Sequence, residues 1–169
     1  AGMRRNFQLM DAVKKGGRGD HDVSQIHVIG AGTMGGDIAA VAAMSGFEVT
    51  LQDISADAVD RAIERARTLY ERRLKAPQKV EAAMARLRAD AGGEGLASAD
   101  LLIEAVAEDL AIKKAVFADA ESKMKPGAIM ATNTSAIPLE DIGAALNDPA
   151  RLIGMHFFNP VPVLPLVEV

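Results

Sequence analysis

The sequence IHVIGAGTMGGDIA at residues 26–39 combines a short apolar, β-branched run, a glycine-rich turn and a stretch of small residues. The apolar run predicts a β-strand, and the small residues, which include no proline, predict a helix through Met44. A second strand-like run at residues 47–52 ends at Asp53, an acid about 20 positions beyond the turn. This order of strand, G-x-G-x-x-G turn, helix, strand and acid predicts a dinucleotide-binding βαβ unit.

The turn glycines and the acid have separate expected roles in such a unit. Gly30 permits the tight turn, Gly32 leaves room for a pyrophosphate near backbone N–H groups, and Gly35 lets the helix pack closely on the strand. The helix N-terminus adds free N–H donors and a partial positive charge for the phosphates. Asp53 is expected to accept hydrogen bonds from the adenosine ribose, and its charge would repel a 2′-phosphate, which favours NAD over NADP.

Length and composition indicate a single domain of ordinary globular character. The chain has 169 residues, of which 49% are hydrophobic and 25% charged, enough to bury a sizeable core. Its net charge of −4 gives no electrostatic footprint for nucleic acid. Cysteine is absent and the histidines lie far apart in the sequence, so neither a thiolate site nor a metal cluster is expected.

The sequence also lacks the signals of membrane insertion or secretion. No apolar run approaches the ~18 residues that a membrane-spanning helix needs. The arginines near the N-terminus precede no apolar segment of the kind found in secretory signals. We therefore expect no membrane span, no secretion, and a location in the bacterial cytoplasm or in an organelle matrix.

The order of segments predicts an α/β fold: a Rossmann-like, doubly wound and mostly parallel sheet with helices on both faces. Residues 1–24, rich in charge and glycine, are predicted to be a linker or a tail from a preceding domain, and residues 25–169 the nucleotide-binding domain. Helical spacing predicts one helix over 55–75 and another over 80–87. Nearby prolines place the last strand, 166–169, toward a sheet edge.

Between these segments, apolar runs alternate with helical stripes. The runs at 101–106, 128–131 and 152–155 predict strands, because they are short and apolar. The spacing over 112–124 and 139–146 predicts helices. Alternation of this kind supports the parallel arrangement.

Polar residues follow these strands, where the carboxyl ends of a parallel sheet would bring them together. Glu108 follows one strand, Ser135 the next, and His156 and Asn159 a third. Histidine titrates near neutral pH and suits the base that takes a hydroxyl proton during hydride transfer. Glu168, a lone acid in an apolar strand, is its expected orienting partner. The alternatives are ordinary loops, a structural histidine and a solvent-facing glutamate.

Two further features have a structural and a functional interpretation. The helix predicted over 55–75 is basic and could meet the phosphates of a large anionic substrate, although a solvated face explains the same charges. His27 alternates with apolar residues in the first strand and is expected to be structural. The basic residues of that helix are Arg61, Arg65, Arg67, Arg72, Arg73 and Lys75.

Together the motifs resemble the NAD-binding domain of the (S)-3-hydroxyacyl-CoA dehydrogenases of fatty-acid β-oxidation. The resemblance covers about residues 25–169 and is more specific than the glycine turn, because several motifs recur in the same order. It implies NAD as the cofactor and an acyl-CoA as the substrate. The matching segments are VIGAGTMG at 28–35, IEAVAED at 103–109, ATNTS at 131–135, GMHFFNP at 154–160 and PLVEV at 165–169.

The resemblance also implies roles for matching residues. Val106, Glu108 and Lys113 are similar to positions beside the nicotinamide half of NAD, and Asn159 to a further cofactor contact. Ser135 is similar to a residue that contacts both the cofactor and the 3-oxygen of the substrate. The pyrophosphate loop and the ribose acceptor would comprise Gly30, Gly32, Thr33, Met34, Gly35 and Asp53.

In the same scheme His156 and Glu168 resemble the catalytic pair. His156 would take the hydroxyl proton while hydride moves to NAD, which gives a 3-ketoacyl-CoA and NADH. In the reverse direction His156 would act as the acid.

The family's enzymes continue into an all-helical domain that covers the acyl-CoA site, so the resemblance implies an excised module that contacts such a domain. The N-terminal segment is similar to the linker that follows the enoyl-CoA hydratase domain in multifunctional enzymes. Two other hypotheses stay open. The chain by itself could be a non-catalytic dinucleotide-binding module, or the enzyme could act on a 3-hydroxy acid that is not a CoA thioester.

Overall fold

The computed structural model describes residues 23–164 and 167–169. The predicted linker or tail at residues 1–24 lies outside the described residues except for its last two positions. The α-helices and strands of the described residues are β1 (Gln25–Ile29), α1 (Thr33–Met44), β2 (Glu48–Gln52), α2 (Ala56–Leu74), α3 (Pro77–Arg86), β3 (Leu87–Ala89), β4 (Leu101–Glu104), α4 (Leu110–Lys123), β5 (Ile129–Thr132), α5 (Leu139–Gly143), β6 (Leu152–Gly154), β7 (His156–Phe157) and β8 (Val167–Glu168).

Strand β1 lies inside a six-stranded sheet with the order β3-β2-β1-β4-β5-β6. Every neighbouring pair in that sheet is parallel. Ile29 is in register with Gln52 on one side and with Glu104 on the other, so the three strands end at the same level. The predicted Rossmann-like, doubly wound fold is confirmed. Its strand order changes direction between β1 and β4, the position at which such sheets bind ligands.

Helices cover both faces of the sheet, as the sequence predicts. Side chains alternate along β4 because successive residues of a strand point to opposite faces. Leu101 and Ile103 belong to a core that includes residues of α1, α2 and α3, whereas Leu102 packs in a second core with Phe117 of α4. Burial on both faces explains why β4 is a continuous apolar run.

The basic helix α2 begins and ends close to the predicted positions. Ser55 is its N-cap, and the Ser55 hydroxyl accepts a backbone N–H of the first turn at 3.3 Å. Lys75 has a left-handed backbone, with a φ of 56°, which ends the helix. Pro77 starts α3, where its missing N–H costs nothing. The Tyr70 hydroxyl donates to the carbonyl oxygen of Ala40 at 2.8 Å and ties α2 to α1.

Strand β3 was not predicted from the sequence. The helix expected over 80–87 ends at Arg86, and Leu87–Ala89 forms β3, which pairs with β2 at one edge of the sheet. Three residues with an arginine at the centre are too few to show a strand pattern, and it is the pairing with β2 that makes them a strand.

The last strand lies at an edge, but of a separate sheet. β8 pairs antiparallel with β7, and these two strands form a two-stranded sheet outside the main one. Its predicted start at Leu166 lies outside the described residues. Because of this pairing, residues on β8 stand directly opposite residues on β7.

Candidate active site at the carboxyl ends of the strands

The glycine turn between β1 and α1 packs backbone on backbone against the turn that follows β4. Gly30 adopts a φ of +105°, and a Cβ placed on it would lie 2.5 Å from the carbonyl oxygen of Ala105. A Cβ on Gly35 would lie 1.8 Å from the carbonyl oxygen of Gly30. By contrast, a Cβ on Gly32 would meet no atom within 4 Å. The turn is therefore closed at Gly30 and Gly35 and open at Gly32, where the sequence predicts the pyrophosphate.

Asp53 lies just after β2, beside the glycine turn. Its carboxylate accepts the N–H of Ala31 at 2.6 Å and the N–H of Ser55 at 2.9 Å. These bonds fix the carboxylate at one wall of a cleft of about 330 Å³ that extends to Val106. The fully exposed side chain of Ile54 and apolar side chains of α4 complete the lining. The cleft thus offers apolar walls beside a fixed carboxylate.

A second cleft of about 360 Å³ opens beyond the ends of β4 and β5. Ala105 and Val106 line both clefts, so the two are neighbours across the turn that follows β4. Residues predicted separately from the sequence meet there. They are Met34, Val106, Glu108, Ser135, His156 and Asn159.

His156 and Glu168 are paired positions of β7 and β8. The Nδ1 atom of His156 lies 3.5 Å from an Oε atom of Glu168. The His156 side chain is 30% exposed and packs against the ring of Phe158, with ring centroids 4.8 Å apart. One ring nitrogen therefore faces a carboxylate, while the imidazole lines the second cleft.

Glu108 connects the turn after β4 with the loop after β5. Its carboxylate accepts the Thr134 hydroxyl and, at 3.2 Å, the N–H of Ser135. The Nζ atom of Lys113 lies 3.3 Å from the same carboxylate. Partial burial raises the pKa of Glu108, but these hydrogen bonds and the Lys113 charge outweigh burial and hold the pKa below its usual value. Glu108 is thus an anion that fixes Ser135 at the cleft.

Lys113 is buried beneath this loop, and its Nζ atom lies 2.7 Å from an Oε atom of the fully buried Glu104. The apolar run at 101–106 predicts a strand but gives Glu104 no separate role. Its signal was a lone acid in an apolar run, the same signal that singled out Glu168. Asn133, within the ATNTS segment at 131–135, accepts the N–H of Phe157 at 2.9 Å through its side-chain oxygen and ties the β5 loop to β7.

Several charges of α2 are used within the domain. Arg65 donates to the carbonyl oxygen of Gly32 at 3.2 Å, and Arg73 donates to that of Pro162 at 2.7 Å. His27 is structural, since it is fully buried and hydrogen-bonded within the sheet.

Across residues 23–164 and 167–169, no group of three or more His, Cys, Asp or Glu side chains is placed to hold a metal ion. None of the helices in the described part of the chain combines the length and the apolar character that a membrane crossing requires.

The sequence matches one family model and is similar to several known proteins. The family model of the 3-hydroxyacyl-CoA dehydrogenase, NAD binding domain, matches residues 25–169. Over 99% of this chain, the sequence is 41% identical to the fatty acid oxidation complex subunit alpha of Acinetobacter baylyi. Over 88% of this chain, it is 43% identical to the 3-hydroxyadipyl-CoA dehydrogenase of Escherichia coli. The crystal structure of E. coli 3-hydroxybutyryl-CoA dehydrogenase matches 87% of this chain with a TM-score of 0.83 and 42% identity.

The chain therefore belongs to the family of NAD-binding domains of 3-hydroxyacyl-CoA dehydrogenases. It spans only part of each relative: 24% of the Acinetobacter protein, 32% of the E. coli protein and 32% of the crystallised chain. The cofactor of the family is NAD, and the residues present fit it. α1 has Gly32 as its N-cap, with no side chain to cap the first-turn amides, so these N–H groups remain for a phosphate.

Proposed function

We propose that this domain holds NAD and supplies the acid–base group for oxidation of (S)-3-hydroxyacyl-CoA to 3-ketoacyl-CoA in fatty-acid β-oxidation. The observation that carries the proposal is the meeting of His156, Ser135 and Glu108 around one cleft, with Glu168 beside His156. This cleft shares a wall with the cleft of the glycine turn. Membership of the NAD-binding family supports the same assignment.

In this proposal the cofactor lies across the two clefts. The pyrophosphate rests on the open face of the turn at Gly32 and on the amides of Thr33 and Met34, with Gly30 and Gly35 keeping the turn tight. Asp53 accepts from the adenosine ribose. Val106, Glu108 and Asn159 border the nicotinamide half, and Lys113 acts there through Glu108, which lies 3.3 Å from its Nζ atom. NAD, when bound, supplies the acceptor for the hydride.

His156 takes the proton of the substrate hydroxyl in this scheme. Its Nδ1 atom is the nitrogen next to Glu168, so the Nδ1–H group points to the carboxylate and Nε2 is free to act as the base. Glu168 then stabilises the imidazolium that forms, and Ser135, held by Glu108, hydrogen-bonds the 3-oxygen. In the reverse direction His156 returns the proton as the acid.

The substrate class and the partner domains belong to the proposal as well. We infer that residues 25–169 form the NAD-binding domain and that residues 1–24 are a linker or tail. An acyl-CoA substrate, an all-helical domain that covers its site and an adjacent enoyl-CoA hydratase domain are what family membership supports. A cytoplasmic or organelle-matrix location is consistent with these roles.

The test is the variant His156→Gln in the complete natural polypeptide that contains these residues. We expect the rate of NADH-dependent reduction of acetoacetyl-CoA to fall by about two orders of magnitude, the range for a lost acid–base group. NADH binding should stay unchanged, because His156 does not hold the cofactor in this scheme. Near-wild-type turnover in the variant would refute the assignment of the base.

A kinetic comparison separates this proposal from the alternative of a free 3-hydroxy acid substrate. Free 3-hydroxybutyrate and its CoA thioester present the same reacting carbon and hydroxyl. We expect the thioester to have the higher kcat/KM. Equal or better use of the free acid would favour a dehydrogenase of non-CoA substrates with the same His156–Glu168 pair.

A further inference from the structure

Glu104, the last residue of β4, is a fully buried carboxylate with no part in the proposed chemistry. One oxygen accepts the N–H of Val106 and the Nζ of Lys113, both at 2.7 Å. The other oxygen accepts the Thr132 hydroxyl at 2.6 Å and the same Nζ at 3.0 Å. Its partners come from the turn after β4, from α4 and from β5, so one side chain joins three segments beneath the clefts.

A carboxylate buried to this degree is tolerated only when its oxygens are hydrogen-bonded and its charge is paired. Lys113 supplies the charge, and its own side chain is only 1% exposed. An apolar residue would fill the same interior position without a charge to compensate. A purely structural role is therefore a costly explanation for the Glu104–Lys113 pair.

The bonds of Glu104 end at groups that border both clefts. The Val106 amide belongs to the turn that lines the two clefts, and the preceding Ala105 is the residue on which Gly30 packs. Through Lys113, Glu104 is also linked to Glu108, which in turn accepts the N–H of Ser135. Glu104 is thus linked, through the Val106 amide and through Lys113, to groups that border both clefts.

We propose that Glu104 is a positioning residue for the cofactor site. It holds the turn after β4 against the glycine turn and keeps Lys113 behind Glu108, and so sets the affinity for the dinucleotide without touching it. This inference rests on the proposed placement of NAD across the two clefts.

The test uses Glu104→Gln in the 169-residue chain, with NADH binding measured by fluorescence titration well below the melting temperature. The substitution keeps the shape but removes the charge and replaces one acceptor with a donor. We expect the Kd for NADH to rise by about tenfold, because small displacements of a binding group are costly. Thr132→Val removes a single hydrogen bond and should raise the Kd for NADH by a smaller factor. This variant provides the test if Glu104→Gln fails to fold.

Asp100→Asn is the matched control, at the opposite end of the same strand. Asp100 accepts the N–H groups of Ser24 and Gln25 at 2.7 and 2.8 Å and pairs with Lys125, far from both clefts. The Asp100→Asn substitution should lower the free energy of unfolding and leave the Kd for NADH unchanged. A structural role alone would make the Glu104 variants behave like this control.

The outcomes separate the two claims. A raised Kd in the Glu104 and Thr132 variants but not in Asp100→Asn supports the positioning role. Wild-type affinity in the folded variants, or an equal rise in the control, overturns that role and leaves the cofactor site standing. If the unaltered chain binds no NADH, the proposed site itself fails, and the positioning role fails with it.

Discussion

The buried polar side chains of β1 and β2 show how single residues are accommodated in this sheet. His27 is fully buried, and its ring nitrogens lie 2.7 Å from the Thr50 hydroxyl and 3.0 Å from the side-chain oxygen of Gln52. A neutral imidazole satisfies both partners, with Nε2–H donating to Gln52 and Nδ1 accepting from Thr50. Burial is the main reason why the pKa of His27 lies below its usual value, although Gln52 and the nearby Asp90 partly oppose the shift.

This environment predicts a loss of stability in mild acid. In the unfolded chain His27 titrates near its ordinary pKa of 6.5, and in the folded chain below it. The contribution of neutral His27 to the free energy of unfolding is therefore fully present above pH 6.5 and is lost as the pH falls from 6.5 through the pKa of the folded state. The free energy of unfolding falls by at most about 1.4 kcal/mol per pH unit in this range. Urea unfolding at pH 7.5 and pH 5.5 measures the difference.

His27→Gln provides the control for this titration. The amide can replace the hydrogen bonds but does not titrate, so the variant should lose less stability between the two pH values than the wild type. The carboxylates with lowered pKa values, such as Glu108 and Glu121, act at lower pH and do not interfere. An equal decline in both proteins would show that other groups cause it.

We predict that the choice between NAD and NADP depends on Asp53. Its fixed carboxylate should repel the 2′-phosphate of NADPH by a few kcal/mol, the range for two like charges at short distance near a protein surface. Asp53→Asn removes the charge and should lower the ratio of the Kd for NADPH to the Kd for NADH by about tenfold or more. Asp57→Asn makes the same charge change in the exposed first turn of α2 and should leave the ratio alone. If both variants shift the ratio equally, general electrostatics explains the preference.

At the scale of elements, the strand–turn–helix unit owes its shape to contacts that differ from one glycine to the next. Gly35 lies where α1 crosses the end of β1, and the carbonyl oxygen of Gly30 occupies the place of any Cβ. Gly32 has a φ of −62°, which every residue tolerates, and open space around it. The same motif therefore contains one glycine required for packing and one that leaves a surface open.

The pair Gly35→Ala and Gly32→Ala tests this difference. Gly35→Ala forces backbone atoms apart and should destabilise the domain by about 3 kcal/mol or more. Gly32→Ala should keep the wild-type stability within about 0.5 kcal/mol but weaken NADH binding, because its methyl group enters the space assigned to the pyrophosphate. Thermal unfolding and NADH titration of both variants give the result. A folded Gly35→Ala with normal stability would contradict the packing described here.

Elements with a strong local pattern were predictable from the sequence, and those formed by pairing were not. The apolar β4 and the capped α2 carry their own signals in burial pattern and N-cap. β3 has no such signal, because its three residues become a strand only when β2 offers an edge. β7, of two residues, likewise exists only as the partner of β8, whereas β8 itself was predicted as the last strand, 166–169.

For the whole molecule, the parallel order of the sheet brings residues together that are far apart in the chain. Gly30, Asp53, Val106 and Ser135 follow four different strands and still border neighbouring clefts. The reason is that parallel strands all end at the same edge. A ligand that spans both clefts would contact residues that follow these four strands and is expected to stabilise the folded domain.

NADH should raise the melting temperature of the chain. A ligand at about 100 times its Kd adds roughly 2.7 kcal/mol, which for a domain of this size corresponds to a rise of about 5–10 °C. NADPH at the same concentration should give a much smaller rise, because of Asp53. Differential scanning calorimetry with each nucleotide and with neither makes the comparison. No rise with either nucleotide would contradict the proposed site.

The sequence by itself determined the βαβ unit, the alternation of strands and helices, and the candidate residues Asp53, Ser135, His156 and Glu168. These signals are local, since turn glycines, apolar periodicity and isolated polar residues can be recognised without a partner. The tertiary structure decided which of these residues meet. It placed His156 opposite Glu168, and it joined Glu104, Lys113 and Glu108 beneath the cleft. Such contacts depend on strand pairing and burial, which arise only when distant segments pack together.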